Sequence, residues 1–127
     1  MMKNLVFLYI DENSAHAFEK VFSEKSCFDK CLEWAADVSS LCGIVVACFE
    51  ENKNTVETFA SSFDKAKIKV VSKNFWNTAI LIEEMLAQVS CFSADDVVYS
   101  SADRPFLDRE LTNELLESHR KYISEYT

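Results

Sequence analysis

A chain of 127 residues, 49% of them hydrophobic, is long enough to bury one core and too short for two domains of ordinary size. Its single glycine and single proline exclude collagen-like, proline-rich and glycine-linker proteins. We therefore expect one domain over residues 1–127. Its formal charge of -8 repels nucleic-acid phosphates and anionic lipid, so we expect that it binds neither nucleic acid nor a membrane.

The first predicted element is a strand at Leu5–Ile10, an apolar run rich in strand formers. This run is too short for the apolar region of a signal peptide or for a membrane span, and Asp11 and Glu12 end it. The chain has five cysteines, an odd number, and two of them lie in or beside apolar runs, which favours reduced thiols. We therefore predict a cytoplasmic protein without disulfides.

A helix, a strand and a second helix follow. The segment Ser26–Asp29 has the pattern of a capping box, and apolar residues then recur at helical spacing, which predicts a helix over about 27–39. Gly43–Phe49 is an apolar run typical of a buried strand, and Asn54 opens the next helix. The apolar face of that helix is predicted to be Val56, Phe59, Ala60 and Phe63.

The alternation continues to the end of the chain. Ile68–Val71 is predicted to be a strand, Asn74 the N-cap of a long helix, Asp96–Ser100 a strand, and Asp108 the cap of a last helix. The buried stripe of the long helix is predicted to be Phe75, Ala79, Ile82, Leu86 and Val89. The last helix is predicted to turn inward Leu111, Leu115 and Tyr122.

Strands that alternate with helices predict an α/β fold, a three-layer sandwich with a mostly parallel sheet. Ligands of such sheets bind beyond the carboxyl ends of the strands. Asp11 and Glu12 follow the first predicted strand and Asp103 follows the fourth, so these carboxylates are candidates for a Mg2+ site. Pro105 restricts Arg104 to extended backbone and defines the exit from that strand. The alternative is that these acids are ordinary turn and cap residues.

The segment from Asp96 to Leu111 contains Ala-Asp-Arg-Pro-Phe-Leu-Asp between a predicted strand and a predicted helix. This arrangement resembles the central segment of nucleotidyltransferases of the GT-A type, and among them the cytidylyltransferase-like and spore-coat polysaccharide branch. The resemblance implies a nucleotide-diphospho-sugar-transferase-like fold with a divalent cation, Mg2+, at Asp103. It also implies that Lys25 lies close to the nucleotide, and we assign Asp11, at the end of the first strand, to the same site.

The chain departs from this family after its first predicted strand. The family has a glycine-rich loop there, because glycines let backbone amides approach phosphates closely. The segment Asp11–Phe22 instead has no glycine and begins with two acids, and Phe18, Val21 and Phe22 at helical spacing predict a short helix. A carboxylate close to a phosphate would cost about 1 kcal/mol or more. Family members continue beyond the position of Tyr126, which predicts that the chain is the N-terminal part of a longer protein.

Three functions are compatible with this pattern. One is a non-catalytic module that recognises a nucleotide, a sugar phosphate or a partner within a larger protein, for example a radical-SAM protein. Another is a Mg2+-dependent nucleotidyltransferase that makes an activated sugar for surface polysaccharide. The third is an interaction domain without a small-molecule site. Since the glycine-rich loop is absent, we predict the first.

Other residues that could take part in chemistry have simpler interpretations. Cys27 and Cys31 lie four apart on one predicted helix, but no second pair of Cys or His residues has the spacing of a zinc site. His16 has no Ser or Cys partner at the spacing of a known motif. Trp34 and Trp76 are predicted to be core residues rather than base-stacking ones.

Overall fold

The computed structural model describes residues 3–10, 20–22, 25–63, 67–101 and 112–117. Within these ranges lie six strands and three helices of nine residues or more, with a 3-10 turn at Glu50–Asn52 and a short helical stretch at 112–117. The strands are β1 Asn4–Tyr9, β2 Lys20–Phe22, β3 Lys25–Ser26, β4 Leu41–Phe49, β5 Ile68–Lys73 and β6 Asp96–Ser101. The helices are α1 Cys27–Ala36, α2 Lys53–Ser61 and α3 Thr78–Cys91.

The main sheet has four strands in the order β5-β4-β1-β6, and every neighbouring pair is parallel. β1 is central, since it pairs with β4 through Phe7 and Val45 and with β6 through Phe7 and Tyr99. Its side chains are almost all buried, as expected for a strand covered on both faces. The predicted α/β fold with a parallel sheet is confirmed.

Two apolar clusters cover the two faces of the sheet and give the three layers. On one face, Val6 and Leu8 pack with α1 and α2 through Phe28 and Val56. On the other face, alternate residues of β1 and β4 pack beneath α3 and the buried Trp76. The alternation of side chains along β1 therefore divides the core between the two helical layers.

The start of α1 agrees with its sequence. Ser26 Oγ accepts a hydrogen bond from the Asp29 amide at 3.2 Å, and the Ser26 amide donates to Asp29 Oδ2 at 2.8 Å. These two bonds are the predicted capping box. The helix ends at Ala36, three residues before the predicted end, although Val38 is buried as the pattern requires.

α3 differs from the prediction in its cap. Its N-cap is Asn77 rather than Asn74, and Asn77 Oδ1 accepts a hydrogen bond from the Ile80 amide at 2.8 Å. The helix begins later because Trp76 is buried, with its indole Nε1 donating to the carbonyl oxygen of Cys48 at 2.7 Å. This bond holds residue 76 in the connection between β5 and α3.

The predicted buried stripe of α3 is also wrong in part. Phe75, Ile82 and Leu86 are exposed, at 63%, 47% and 65%. Of the predicted residues, Val89 does pack against the sheet. The other α3 residues that pack there are Ile80, Leu81 and Met85. Because α3 is apolar on both sides, helical spacing alone does not determine which stripe faces the sheet.

Two further expectations change in the structure. Of the short helix predicted within Asp11–Phe22, the described residues Lys20–Phe22 form strand β2 instead, which pairs antiparallel with β3. Valine and phenylalanine favour strands, and the chain returns beside them at Lys25. In the last helix, Leu115 is 61% exposed and Leu116 packs against the core instead. The predicted cap Asp108, together with Phe18, Leu111 and Tyr122, lies outside the described residues.

Gly43 is the only glycine of the chain. Its φ angle is not positive, so the backbone conformation does not require a glycine, whereas the space around it does. A Cβ atom on Gly43 would lie 2.7 Å from Cδ1 of Phe92, far inside van der Waals contact. We expect Gly43→Ala to lower the free energy of unfolding by about 1–3 kcal/mol, as overpacking usually does. Urea unfolding of Gly43→Ala in the natural and the Phe92→Leu backgrounds measures this. Equal losses in both backgrounds would show that the ring is not the cause.

Candidate functional site

The carboxyl ends of β1 and β6 lie side by side. The last register pair between these two strands is Tyr9 with Ser101, so both strands leave the sheet at the same level. Neighbouring strands are about 4.8 Å apart. On the other side of β1, the Ile10 amide donates to the carbonyl oxygen of Ala47 at 2.9 Å, which extends the contact with β4 by one residue. This edge of the sheet is where the sequence places its candidate acids.

The predicted acids follow these two strand ends at equal chain distance. Asp11 comes two residues after Tyr9, and Asp103 comes two residues after Ser101. The strand order therefore places the end of β1, which leads to Asp11, next to the end of β6, which leads to Asp103. The alternation of strands and helices alone does not predict that these two strands are neighbours. Asp11, Glu12 and Asp103 themselves lie outside the described residues, so their assignment to a cation or a cofactor stays a prediction.

α1 contacts the same edge through Cys31, its fifth residue. The Sγ atom of Cys31 is 3.9 Å from the carbonyl oxygen of Ser101, the last residue of β6. A helix N-terminus has free amides and a partial positive charge, both of which attract phosphate. In α1 the capping box of Ser26 and Asp29 already satisfies part of this potential, and Asp29 places a carboxylate there. This helix end is therefore a weaker phosphate site than one capped by serine alone.

Lys25, predicted to lie close to the nucleotide, is exposed and forms an ion pair with Glu33. The hydrogen bond that the Lys25 ammonium donates to the Glu33 carboxylate raises the pKa of Lys25 above its ordinary value. Oε2 of Glu33 also lies 3.8 Å from Nζ of Lys30, so one carboxylate forms ion pairs with two ammonium groups. The positive charge of Lys25 is thus shared with Glu33, and a phosphate would have to compete with that carboxylate for it. An exposed pair of this kind is weak and is screened by salt.

A cleft that the sequence did not predict opens at the carboxyl ends of β4 and β5. Its volume is about 260 Å³. Ser72 Oγ donates to the Glu50 carboxylate at 2.9 Å, which orients one acid of the cleft. Two acids directly after a long apolar strand are the sequence signal that could have indicated it. The lining residues are Phe49, Glu50, Glu51, Asn74 and Phe75.

The cysteines form no metal site in the described part of the chain, where no group of three His, Cys, Asp or Glu residues could hold an ion. Cys27 and Cys31 are buried free thiols on α1. Cys48 is fully buried in β4, and this burial raises its pKa to about 11. Cys48 is therefore a protonated packing residue at neutral pH.

The pKa of Cys48 predicts a loss of stability at alkaline pH. Its ordinary value is 9.0, and the folded protein raises it to about 11. Protonated Cys48 therefore stabilises the fold fully below pH 9, and this contribution is lost as the pH rises toward 11. We expect the free energy of unfolding to fall over this range more steeply in the natural protein than in Cys48→Ala. Parallel slopes in urea unfolding from pH 8 to 11 would contradict this.

Comparison with known proteins finds no matching family and no matching curated sequence. Solved structures do match. The synthase of 4-diphosphocytidyl-2C-methyl-D-erythritol from Anaerococcus prevotii superposes with a TM-score of 0.75 at 16% identity, covering 94% of this chain and 52% of its own. A second structure of a synthase with the same name has a TM-score of 0.70 at 17% identity, covering 92% and 54%.

A third match is Rv0371c from Mycobacterium tuberculosis in complex with manganese, with a TM-score of 0.64 at 12% identity over 91% of this chain and 59% of its own. The chain spans about half the length of the structures it matches. At these identities the likeness concerns the fold. In the described residues no helix is long and apolar enough to cross a membrane. The chain has the α/β fold of these two synthases.

Proposed function

We propose that this chain is a nucleotidyltransferase-like recognition module that binds a nucleotide or sugar phosphate through a divalent cation and does not transfer a nucleotidyl group. The observation that supports it is the in-register end of β1 and β6 at Tyr9 and Ser101, each followed two residues later by an aspartate. Two carboxylates are suitable oxygen ligands for Mg2+ or Mn2+, and the phosphate oxygens of the ligand would complete the coordination.

The charges beside this edge support the proposed absence of nucleotidyl transfer. Nucleotidyl transfer requires strong stabilisation of the charge on the phosphates, which amides, cations and metal ions supply. Here the cap of α1 contains the Asp29 carboxylate, and Lys25 is paired with Glu33. The segment between β1 and β2 has no glycine and begins with two acids. A ligand with fewer phosphate charges than a triphosphate suits these surroundings better.

The module would act within a cytoplasmic protein longer than this chain, such as a radical-SAM enzyme, in which it would present a substrate or contact a partner. The solved structures that match this chain are about twice as long as the part that the chain covers. This difference in length supports a module within a longer protein. Recognition needs only the binding edge, whereas catalysis needs an acceptor site as well.

The second candidate function is an active Mg2+-dependent nucleotidyltransferase of the spore-coat polysaccharide type. The same pair of strand ends favours it, because one cation there could serve binding or transfer. The matched Rv0371c structure is described as a manganese complex, and this supports a divalent cation in both candidate functions. The two candidate functions differ in one product, because only nucleotidyl transfer releases pyrophosphate.

Thermal unfolding with CTP, UTP, GTP, ATP or a sugar phosphate, with and without Mg2+ or Mn2+, tests binding. A ligand at one hundred times its Kd stabilises the folded state by about 2.7 kcal/mol. We expect a cation-dependent rise in Tm that Asp103→Asn removes. Asp95→Asn is the charge-matched control, because Asp95 precedes the amino end of β6, at the opposite end of the strand, where its carboxylate accepts a hydrogen bond from the Lys3 amide at 2.7 Å.

A pyrophosphate-release assay on the same samples separates the two functions. A rise in Tm without pyrophosphate in the presence of CTP and a sugar phosphate supports the recognition module. Release that depends on Asp103 would establish the enzyme instead. No rise in Tm with any ligand and cation would refute both.

A further inference from the structure

The ion pair of Lys25 and Glu33 connects the start of α1 with its middle. Lys25 lies two residues before the helix, and Glu33 is the seventh residue of the helix. The ammonium of Lys25 donates a hydrogen bond to Oε1 of Glu33. In α/β folds the helix N-termini lie near the carboxyl ends of the strands, where ligands bind. The pair therefore joins a cation from the ligand end of α1 to an acid further along the helix.

Glu33 lies on the side of α1 that faces away from the end of β6. Cys31 is fully buried, and its Sγ atom is 3.9 Å from the carbonyl oxygen of Ser101. Residues two apart on a helix are rotated by about 200° around its axis, so Glu33 points to nearly the opposite side. Its side chain is accordingly in contact with solvent, at 29%. While Lys25 is bound to Glu33, its charge is therefore held outward, away from this strand end.

The pair can open without disturbing the core. The side chain of Lys25 is 51% exposed, and its ammonium is carried on a flexible four-carbon stem. Exposed ion pairs of this kind are weak. Oε2 of Glu33 lies 3.8 Å from Nζ of Lys30, so the carboxylate keeps a cationic partner when Lys25 leaves. A phosphate near the start of α1 can therefore take Lys25 from Glu33.

We propose that Glu33 is a specificity-determining residue, which competes with the phosphate ligand for Lys25 and so weakens most the binding of highly charged phosphates. This inference rests on the proposed function, because it requires a phosphate-containing ligand at the ends of β1 and β6. Binding exchanges one ion pair for another, since Lys25 leaves Glu33 and joins the phosphate. The attraction between an ammonium and a ligand grows with the charge of the ligand, so pyrophosphate draws Lys25 more strongly than phosphate does.

Isothermal titration calorimetry with phosphate and with pyrophosphate, each in the presence of Mg2+, tests this inference. We expect Glu33→Gln to lower the Kd of pyrophosphate roughly two- to fivefold, the size of effect that an exposed ion pair gives, and the Kd of phosphate less. Glu83→Gln is the charge-matched control, because Glu83 is an exposed acid of α3, on the other face of the sheet. It should leave both Kd values unchanged. An unchanged Kd in Glu33→Gln, or an equal gain in Glu83→Gln, would overturn the inference and leave the proposed function standing.

A second background separates the capture of Lys25 from plain repulsion between Glu33 and the ligand. Lys25→Met keeps an apolar stem and removes the ammonium, so in this background Glu33→Gln should no longer lower the Kd of pyrophosphate. A gain that persists there would show that Glu33 acts by repulsion alone, against the inference. Circular dichroism confirms that the variants fold. If neither probe binds the natural chain or any variant, or if Asp103→Asn leaves binding unchanged, the proposed function fails and the inference fails with it.

Discussion

We expect Trp76→Ala to lower the free energy of unfolding by about 3–5 kcal/mol, a large part of the stability of a domain of this size. The indole is only 6% exposed and packs in the cluster beneath α3. Its Nε1 donates to the carbonyl oxygen of Cys48 at 2.7 Å, and its ring meets that of Tyr9 edge-on at 6.2 Å. The substitution therefore removes both core packing and a link between β4 and the connection to α3.

The neighbouring aromatic residue gives a matched control. Phe75 is 63% exposed, so Phe75→Ala should change the free energy of unfolding by no more than about 0.5 kcal/mol. Urea unfolding of both variants at pH 7, followed by circular dichroism, measures the difference. Similar losses in the two variants would contradict the exposed position of Phe75.

The second large effect is expected at Phe28, the second residue of α1. Its ring is fully buried and contacts the ring of Phe59 edge-on, with centroids 5.6 Å apart and an interplanar angle of 69°. Phe28→Ala should cost about 3–5 kcal/mol of unfolding free energy. Because Phe28 holds the beginning of α1, which lies beside the end of β6, the substitution should also weaken any cation-dependent ligand binding at that edge.

A double-mutant cycle with Phe59→Ala separates the ring contact from burial. We expect a coupling energy of about 0.5–1.5 kcal/mol, the usual value for an edge-to-face aromatic pair. Strictly additive losses would show that the two rings stabilise the fold independently. Thermal and urea unfolding of the two single variants and the double variant provide the required values.

The four strands of the main sheet and their alternation with helices could be predicted from the sequence, because the buried strands are short apolar runs between polar segments. Leu5–Ile10 and Gly43–Phe49 differ from the observed β1 and β4 only at their ends. The start of α1 was predictable as well, since Ser26 and Asp29 supply a capping box whose spacing is specific. Such local signals depend on neighbouring residues alone.

The errors arose where tertiary contacts decide between local alternatives. Asn74 and Asn77 are both good caps, and the burial of Trp76 selects Asn77. Leu115 and Leu116 are adjacent apolar residues, and only the position of the 112–117 stretch against the core determines that Leu116 is inside. Val21 had the spacing of a helix but lies in strand β2, which pairs with β3. In each case two patterns were locally equivalent.

The carboxyl end of the sheet was predictable as the place to look for a site, whereas the strands that meet there were not. Alternating strands and helices indicated the carboxyl edge, but the adjacency of β1 and β6 depends on the strand order, which no local pattern contains. The ion pair of Lys25 with Glu33 joins a residue before the helix to one in its middle, so helical spacing gave no sign of it. The sequence predicted the capping box with Asp29. Only the position of α1 beside the sheet shows that this carboxylate would repel a phosphate there.

The most direct test of the cation site at the ends of β1 and β6 is paramagnetic broadening by Mn2+ in an NMR spectrum of the 15N-labelled protein. The amide signals of Tyr9 and Ser101 should lose intensity at substoichiometric Mn2+. Those of Lys3 and Asp95, roughly 20 Å away at the other end of the strands, should not. Asp103→Asn should abolish the broadening. Broadening centred elsewhere, or unchanged in Asp103→Asn, would contradict the proposed site.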